Sequence, residues 1–369
     1  MAEQTALKAQ LGPVAVEQLA QVLQSVYPDF DQQGFISQAK HQLEVLELKD
    51  RVRHLIAALA VHLPEGFCET ARILERVAEA WPESPQGQWS SFTAWPLIDY
   101  VSVYGLNHPQ RAFVLLEALT PLFTAEFAIR PFLDHHFELT HQQLLRWTRH
   151  DNEHVRRLAS EGIRPRLPWA QQLPELRRDP APIWPILEAL KTDSSLYVRR
   201  SVANNLNDIS KDHPEAVMAR CREWLQLQNK NTDWLINHGL RTLVKNGRAE
   251  VYPLLGFSDK PELKALELQL SETRLKLGAS LQFTLTLTTA QAERLVVDYR
   301  IGFRRADGGL SWKVFKWKNI KTQADTPLTL KKSQSFKPLS TRRYYPGEHL
   351  VECLVNGQVA ARAGFELSV

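Results

Sequence analysis

Apolar residues recur at three- and four-residue steps from the N-terminus to about Leu255, and at every second residue from about Leu266 onward. The first spacing lays a stripe along α-helices; the second lays one face along β-strands. The helical rhythm predicts helices near 13–27, 30–46, 48–62, 67–80, 93–104, 109–120, 124–136, 138–149, 153–166, 182–191, 195–210, 214–228 and 232–246. Pro28, Pro64, Pro82, Pro109, Pro121, Pro168 and Pro214 stand where helices should end or begin, and Gly105 and Gly247 suit C-terminal caps. Asp193 and Ser194 are placed to cap the helix that follows them. Two stretches, HVRRLASEGIRPRL from His154 and YVRRSVANNLNDIS from Tyr197, are variants of one helix. Their matching V-R-R steps lie about 43 residues apart, inside the HEAT/armadillo range of about 40–47. Short connections between such helices favour stacked antiparallel pairs, the construction of an α-solenoid.

After Gly256 the pattern changes. Ser258, Asp259, Lys260 and Pro261 read as a linker, and alternating segments begin at Leu266, Leu281, Leu295, Lys313, Leu328, His349 and Ala361. Asp307-Gly308-Gly309, Pro346-Gly347 and Asn356-Gly357 supply turns between them. About seven short strands over roughly a hundred residues fit an immunoglobulin-like or fibronectin-like sandwich, without the cysteine pair or core tryptophan of an antibody domain. The expected fold is multidomain: an all-α HEAT-like repeat solenoid over 1–257, then an all-β immunoglobulin-like sandwich over 262–369.

Composition narrows the class. The 369 residues are 44% hydrophobic, with no apolar run able to span a bilayer. The N-terminal MAEQTALKAQLGP lacks the basic-then-apolar order of a signal peptide. Cys68, Cys221 and Cys353 are scattered and form no CxxC, which argues against a disulfide framework and for a cytosolic protein. Formal charge is only +4, but between Arg294 and Arg343 bases exceed acids by about ten, enough to hold a polyanion by counterion release.

On the repeated helix the charges take one face. Arg157, Glu161 and Arg164 stand at i, i+4, i+7 in the first copy, and Arg200, Asn204 and Asp208 at i, i+4, i+8 in the second. Val155, Leu158, Ala159, Val198, Val202 and Leu206 form the apolar face. A weaker copy from Asp233, DWLINHGLRTLVKNG, puts Arg241 and Lys245 where Asn204 and Asp208 stand in the second. EFAIRPFLDHH reads as the start of the same unit, with Glu126 at the N-terminal end of its helix. Equivalent faces of stacked repeats line one surface. Glu126, Glu161 and Asp208 are therefore expected to converge, framed by Arg157, Arg164, Arg200, Arg241 and Lys245.

Carboxylates beside arginines are most often plain ion-pair partners. Here they recur at corresponding places, and a surface that only bound a polyanion would have no use for them. They suit a cation that is received or formed, such as the oxocarbenium-like sugar produced when a nucleoside bond is hydrolysed. Trp169 is read either as packing or as a wall against a base or sugar, and Trp95 and Asp99, one helical turn apart, as a second such pair or as core. HHFELTH and HDNEH are not HExxH and lack a third ligand, so no metal site is expected. GxGxxG, GxxxxGK[ST] and GxSxG are absent, which disfavours dinucleotide, P-loop and α/β-hydrolase chemistry. In the β-region, Lys313, Lys316, Lys318 and Lys321 interleave with Phe315 and Trp317, and Lys337, Arg342 and Arg343 stand beside Tyr344 and Tyr345. Such loops suit phosphate contact; alternatively the aromatics are core and the lysines protect an edge strand.

RLASEGIRPRLPWA and VRRSVANNLNDISKDHPE resemble the DNA alkylation repair glycosylases built from HEAT-like repeats, and VFKWK, SFKP and TRRYYPGEH resemble the extra domain of their AlkC branch. The resemblance covers nearly the whole chain, with SEGIRPRLPW and RRYYPGEH the more discriminating segments. In the related AlkD branch a tryptophan takes the place of Asn204, so that branch's aromatic contacts do not transfer. The resemblance implies a monofunctional glycosylase, with no cofactor and no metal, removing cationic N3-methylated bases (3-methyladenine, and 3-methylcytosine as a further substrate) from double-stranded DNA without flipping the base. It implies that Glu126, Glu161 and Asp208 stabilise the sugar cation and position water, with Asp208 or Glu161 nearest the water, and that Arg157 and Trp169 position the lesion nucleotide. Arg164, Arg200, Asn204, Arg241, Lys245, Lys313, Lys316, Lys318, Arg342 and Arg343 are then the expected DNA contacts. The expected state is a cytoplasmic monomer whose partner is alkylated duplex DNA and not a membrane. The competing classes are a non-catalytic HEAT-repeat DNA-binding scaffold and a protein-interaction module.

Overall fold

Prolines and caps divide the helical region into short, stacked elements. The computed structural model describes residues 7–82, 91–340 and 342–368; the start of the N-terminal polar segment and Thr341 of the TRRYYPGEH motif lie outside the described residues. The chain forms two compact units, Met1–Asp212 and His213–Val369. The first contains α1 Pro13–Val26, α2 Gln32–Lys40, α3 Leu48–His62, α4 Phe67–Ala80, α5 Trp95–Tyr104, α6 Pro109–Leu119, α7 Arg130–His135, α8 Phe137–Trp147, α9 Glu153–Gly162, α10 Pro174–Arg178, α11 Trp184–Leu190 and α12 Leu196–Ile209. Proline occupies the first turn of α1, α5, α6, α7, α10 and α11, where its missing N–H removes no helical bond. α1 packs on α4, α3 on α5, α4 on α6 and α9 on α12, the stacking of an α-solenoid.

The repeated helix is α9 and α12. Val155, Leu158, Ala159, Val198, Val202 and Leu206 are all at most 1% exposed, as the apolar stripe requires. The first arginine of each V-R-R step has a structural use in both copies. Arg156 Nη1 donates to the carbonyls of His150 and Asp151 (2.9 and 2.7 Å), and Arg199 Nη1 to those of Asp193 and Ser194 (2.6 and 2.8 Å). Each ties its helix to the preceding turn. The N-caps also correspond: Asn152 accepts from the His154 N–H and Ser195 from that of Val198. Ser195, not Ser194, is thus the capping residue of α12. Asp193 accepts from the Ser195 N–H at 2.8 Å and pairs with Arg156 at 2.7 Å, linking the repeats.

Several expected helices are shorter than their periodicity. The 30–46 helix stops at Lys40, and Gln42 takes a left-handed φ of 55° before a 3-10 turn at Leu43–Val45. The 124–136 helix is reduced to α7, because Pro131 can sit only in a first turn. Glu126 therefore lies in the turn before α7 and not at a helix N-terminus. The 153–166 helix ends at Gly162, since Pro165 disfavours a helical residue before it. Arg164 leaves the helix and its guanidinium is free to reach across.

The second unit begins with α13 Pro214–Leu225, α14 Lys230–Gly239, α15 Arg241–Lys245 and α16 Val251–Leu254. The single helix expected at 232–246 is broken at Leu240, so the third V-R-R-like copy is interrupted where Arg241 begins α15. Strands follow: β1 Leu263–Leu270, β2 Arg274–Lys276, β3 Ser280–Thr289, β4 Arg294–Arg304, β5 Leu310–Lys321, β6 Leu328–Ser335, β7 Gly347–Val355 and β8 Gln358–Ser368. One sheet has the order β1-β3-β6 and the other β2-β8-β7-β4-β5. Phe283, Tyr299, Phe336, Val351 and Phe365 fill the space between them. β2, a parallel edge partner of β8 with one buried side chain, is too short to be seen as alternation. The change from helix to strand falls between Leu254 and Leu263, but the packing boundary comes earlier. The turn after α15 is locked to the β7–β8 hairpin: Gly247 and Gly357, at φ 72° and 76°, meet so closely that a Cβ on Gly247 would lie 2.8 Å from the Gly357 carbonyl oxygen. Asn356 Nδ2 also donates to the Ser258 carbonyl at 2.7 Å.

Candidate active site

The three acids singled out by register are joined in the first unit through two arginines. Arg157 Nη2 lies 2.8 Å from Glu126 Oε2 and 3.5 Å from Glu161 Oε1. Arg164 Nη1 lies 2.6 Å from Glu161 Oε1, and its Nη2 2.8 Å from Asp208 Oδ2. Lys211 Nζ closes the series 3.0 Å from Asp208 Oδ1. The result is an alternating chain, Glu126, Arg157, Glu161, Arg164, Asp208, Lys211, in which each buried acid has a cation beside it. Glu161 and Asp208 are 4% and 2% exposed, because α9 and α12 pack against each other along the side that carries them. Ser201 Oγ of α12 donates to Glu161 Oε2 at 2.6 Å and Asn205 Nδ2 to the Ser160 carbonyl at 2.9 Å, fixing that contact.

Charge in this chain is held in place. Burial works against the cationic forms of Arg157 and Arg164. Glu161 and Glu126 outweigh it for Arg157, and Glu161 and Asp208 for Arg164, so both guanidiniums lie above their ordinary value. Arg130 lies behind them with no exposed surface, donating to the carbonyls of Gln171, Gly162 and Arg164. Burial, then Arg164, lowers it to about 10, while Glu126, Asp208 and Glu161 oppose the fall. Arg130 thus pins both ends of the segment after α9, and Gly162 leaves room for Ile129 where a Cβ would come within 2.5 Å of it.

Glu126 differs from the other two acids. Its Oε2 accepts from Arg157 and, at 2.9 Å, from Thr124 Oγ1; among the described residues nothing hydrogen-bonds its Oε1. Both oxygens of Glu161 and both of Asp208 are engaged. Glu126 and Glu161 border a cavity of about 330 Å³ whose other walls include Phe92, Trp95, Phe123, Phe127 and Trp169. Trp169 is 62% exposed and has φ 64°, a left-handed conformation that costs a non-glycine residue energy. Lys49 Nζ holds it there by donating to its carbonyl at 2.5 Å. At that exposure Trp169 is not a core residue. Trp95 is core, 3% exposed, and its Nε1–H donates to Asp99 Oδ2 at 2.7 Å.

The remaining expected residues are described within their own units. Arg200 is exposed on α12 and Asn204 half-buried. Arg241 and Lys245 belong to the second unit, where they line a cavity of about 330 Å³ with Lys316 and Asp298. β5 is an edge strand; Lys313, Lys316 and Lys318 are exposed on it, while Phe315 and Trp317 pack on the sandwich core. The alternation itself is what a protected edge strand shows. Arg342 lies 3.7 Å over the Phe303 ring and Arg343 5.3 Å over that of Tyr345. Two histidines of HHFELTH serve the backbone: His136 Nε2 is 2.8 Å from the Leu106 carbonyl and His141 Nε2 2.7 Å from that of Pro182. Among the described residues no cluster of His, Cys, Asp or Glu is arranged to hold a metal ion, and no helix is long and apolar enough to cross a membrane. Thr124, Arg130, Ser201 and Lys211 were not visible as site residues in the sequence, since none repeats at the period of about 43.

A family model described as DNA alkylation repair enzyme matches residues 123–243, a span that contains the whole charge chain. A second, described as the C-terminal Ig-like domain of the uncharacterised protein YhaZ, matches residues 264–369. YhaZ of Bacillus subtilis (strain 168), itself uncharacterised, is 38% identical over 353 residues, covering 95% of this chain and 96% of its own. The structure of the Pseudomonas fluorescens alkylpurine DNA glycosylase AlkC, bound to DNA containing an abasic site analog, superposes with a TM-score of 0.87 at 38% identity, covering 99% of this chain and 100% of that one. With the two sequences alike from end to end and the charge chain inside the matched repair region, the chain belongs to the AlkC family of alkylpurine DNA glycosylases.

Proposed function

We propose that this glycosylase hydrolyses the N-glycosidic bond of cationic N3-methylated bases, 3-methyladenine and 3-methylcytosine, in duplex DNA. The observation that carries the reading is the free Oε1 of Glu126 on the cavity beside Glu161. An N3-methylated base already bears positive charge and departs as a neutral molecule, so no general acid is required. Positive charge moves to the sugar, and the barrier falls where fixed negative charge awaits it. Glu161, with Asp208 coupled to it through Arg164, supplies that field; Arg157 and Arg164 hold the carboxylates at fixed places so that none must reorganise. Glu126 Oε1 positions the attacking water, in place of the Asp208 or Glu161 assignment made from the resemblance, because both of those acids have their oxygens engaged.

Trp169 and the phenylalanine wall bound the space for the lesion sugar and its neighbours. Trp95 is covered by Phe123 and Phe127, so it cannot sandwich an extruded base, which favours attack on a base still in the duplex. DNA is held by the exposed bases of β5 together with Arg200, Arg342, Arg343, Arg241 and Lys245, through phosphate contacts. A protein acting alone on its substrate suffices for this chemistry, and neither cofactor nor metal takes part in any step. The test is incubation of methylated duplex DNA with the protein followed by chromatography of released bases. Release of 3-methyladenine with abasic sites left uncleaved supports the reading; no release removes it.

A further inference from the structure

We infer that Asp99 is a positioning residue for Glu126, acting through Trp95 and the two phenylalanines that bracket the Glu126 turn. The inference rests on the role proposed for Glu126. Glu126 is in no helix; it lies in the turn Phe123-Thr124-Ala125-Glu126-Phe127 that precedes α7, where backbone hydrogen bonding fixes a carboxylate less firmly than a helix does. Beside the bonds that Thr120 and Thr124 Oγ1 accept from the Ala125 and Glu126 N–H groups, aromatic packing braces this turn. Trp95 stacks on Phe123 with centroids 5.4 Å apart and on Phe127 at 5.5 Å, each at 30°, and meets the edge of Phe92 at 5.8 Å. The indole is therefore the common partner of the residues on both sides of Thr124 and Glu126. Its own orientation about the side-chain torsions is set by one polar contact, the 2.7 Å bond from Nε1–H to Asp99 Oδ2. α5 places donor and acceptor one turn apart, so the pair needs no other element to align it.

The other carboxylate oxygen of Asp99, Oδ1, is buried and has no hydrogen-bond partner among the described residues. Leaving a polar oxygen so placed costs free energy that an apolar side chain would not. The charged groups that face Asp99 are Lys49 and Arg53 of α3, which line with it a cavity of about 210 Å³ behind Trp169; Gln171 and Ser102 complete its polar surroundings. Burial raises the Asp99 carboxyl to about 7, with the Trp95 bond and Lys49 pulling the other way. The bond to Trp95 is thus charge-assisted above about pH 7 and an ordinary neutral one below it, and a charge-assisted bond is roughly twice as strong.

The experiment is single-turnover release of 3-methyladenine by wild type, Asp99→Asn, Trp95→Phe, the double variant and Glu126→Gln, from pH 6 to 8.5, with DNA affinity measured in parallel. Asp99→Asn and Trp95→Phe are each expected to slow release roughly tenfold, short of the hundredfold that misplacement by about 1 Å can cost. DNA affinity should stay within about twofold, and the double variant should be no slower than either single one. The wild-type rate should rise through about pH 7, and that rise should be missing from both single variants. Unchanged rates and pH profiles in the single variants, or additive losses in the double, overturn the inference while leaving Glu126 in place if Glu126→Gln is slow. Full activity of Glu126→Gln instead removes the role of Glu126 and this inference with it. Should Asp99→Asn fail to fold, Trp95→Phe, which removes the N–H and one ring while keeping a phenyl in the stack, decides through its pH profile.

Discussion

Arg157 Nη2 stands 2.8 Å from Glu126 Oε2, joining α9 to a turn that the periodicity of the chain had assigned to a helix. The same guanidinium reaches Glu161 on its own helix at 3.5 Å, donates to Thr124 Oγ1 at 2.8 Å and lies 4.9 Å over the ring of Tyr197. One planar group thereby sets the relative positions of Glu126 and Glu161. Lysine carries the same charge but cannot make these contacts at once. Arg157→Lys should therefore lower the rate of base release by about tenfold to a hundredfold while leaving affinity for undamaged duplex within about threefold. Single-turnover kinetics beside equilibrium DNA binding separates the two.

Arg130 is a stability residue in the same place. It is fully buried, and three carbonyls lose their donor if it goes. Arg130→Met should destabilise the fold by about 3–5 kcal/mol, the range for orphaning several buried polar groups. Urea unfolding followed by helical circular dichroism measures it; a loss under about 1 kcal/mol would show that the segment after α9 is held by other means.

The exposed lysines of β5 make a separate prediction. Each phosphate neutralised releases counterion, with a slope of about 0.9 per contact in the dependence of log affinity on log salt. Replacing Lys313, Lys316 and Lys318 together by alanine should reduce that slope by about 2–3 and weaken damaged and undamaged DNA alike. An unchanged slope would mean that the lysines serve only to protect the edge strand.

Stability should also respond to pH through Asp99. Its carboxyl is raised by burial to about 7, so between its ordinary value near 4 and about 7 the folded chain binds the proton that the unfolded chain has released. The contribution of Asp99 to stability is complete below about pH 4, declines as pH rises and is gone above about 7. Asp99→Asn should remove that decline, and denaturant midpoints of wild type and variant at pH 5, 6 and 8 will show whether the two curves diverge upward in pH.

The apolar stripe of α9 and α12, the proline boundaries and the alternating strands were legible in the sequence because each rests on a local period or a local steric rule. Glu161 and Asp208 were legible for the same reason: they sit on copies of one helix. Their burial was not, because it depends on α9 and α12 facing each other, a long-range contact made through Ser201 and Asn205. Glu126 was found for a mistaken local reason, since its position comes from a proline-terminated turn and an aromatic stack and not from the helix N-terminus that the repeat suggested. Arg241 was read into the same surface by alignment with a helix that breaks before it. Thr124, Arg130 and Lys211 act through contacts that no spacing announces.

Glu126 and Glu161, spaced by Arg157, are proposed as the hydrolytic centre, with Glu126 nearest the water. The most direct test is the single-turnover rate of 3-methyladenine release by wild type, Glu126→Gln and Glu161→Gln on the same duplex. Wild type should release the base, and each variant should be slower by about a hundredfold or more while binding the DNA with unchanged affinity. Release by either variant at the wild-type rate would contradict the account.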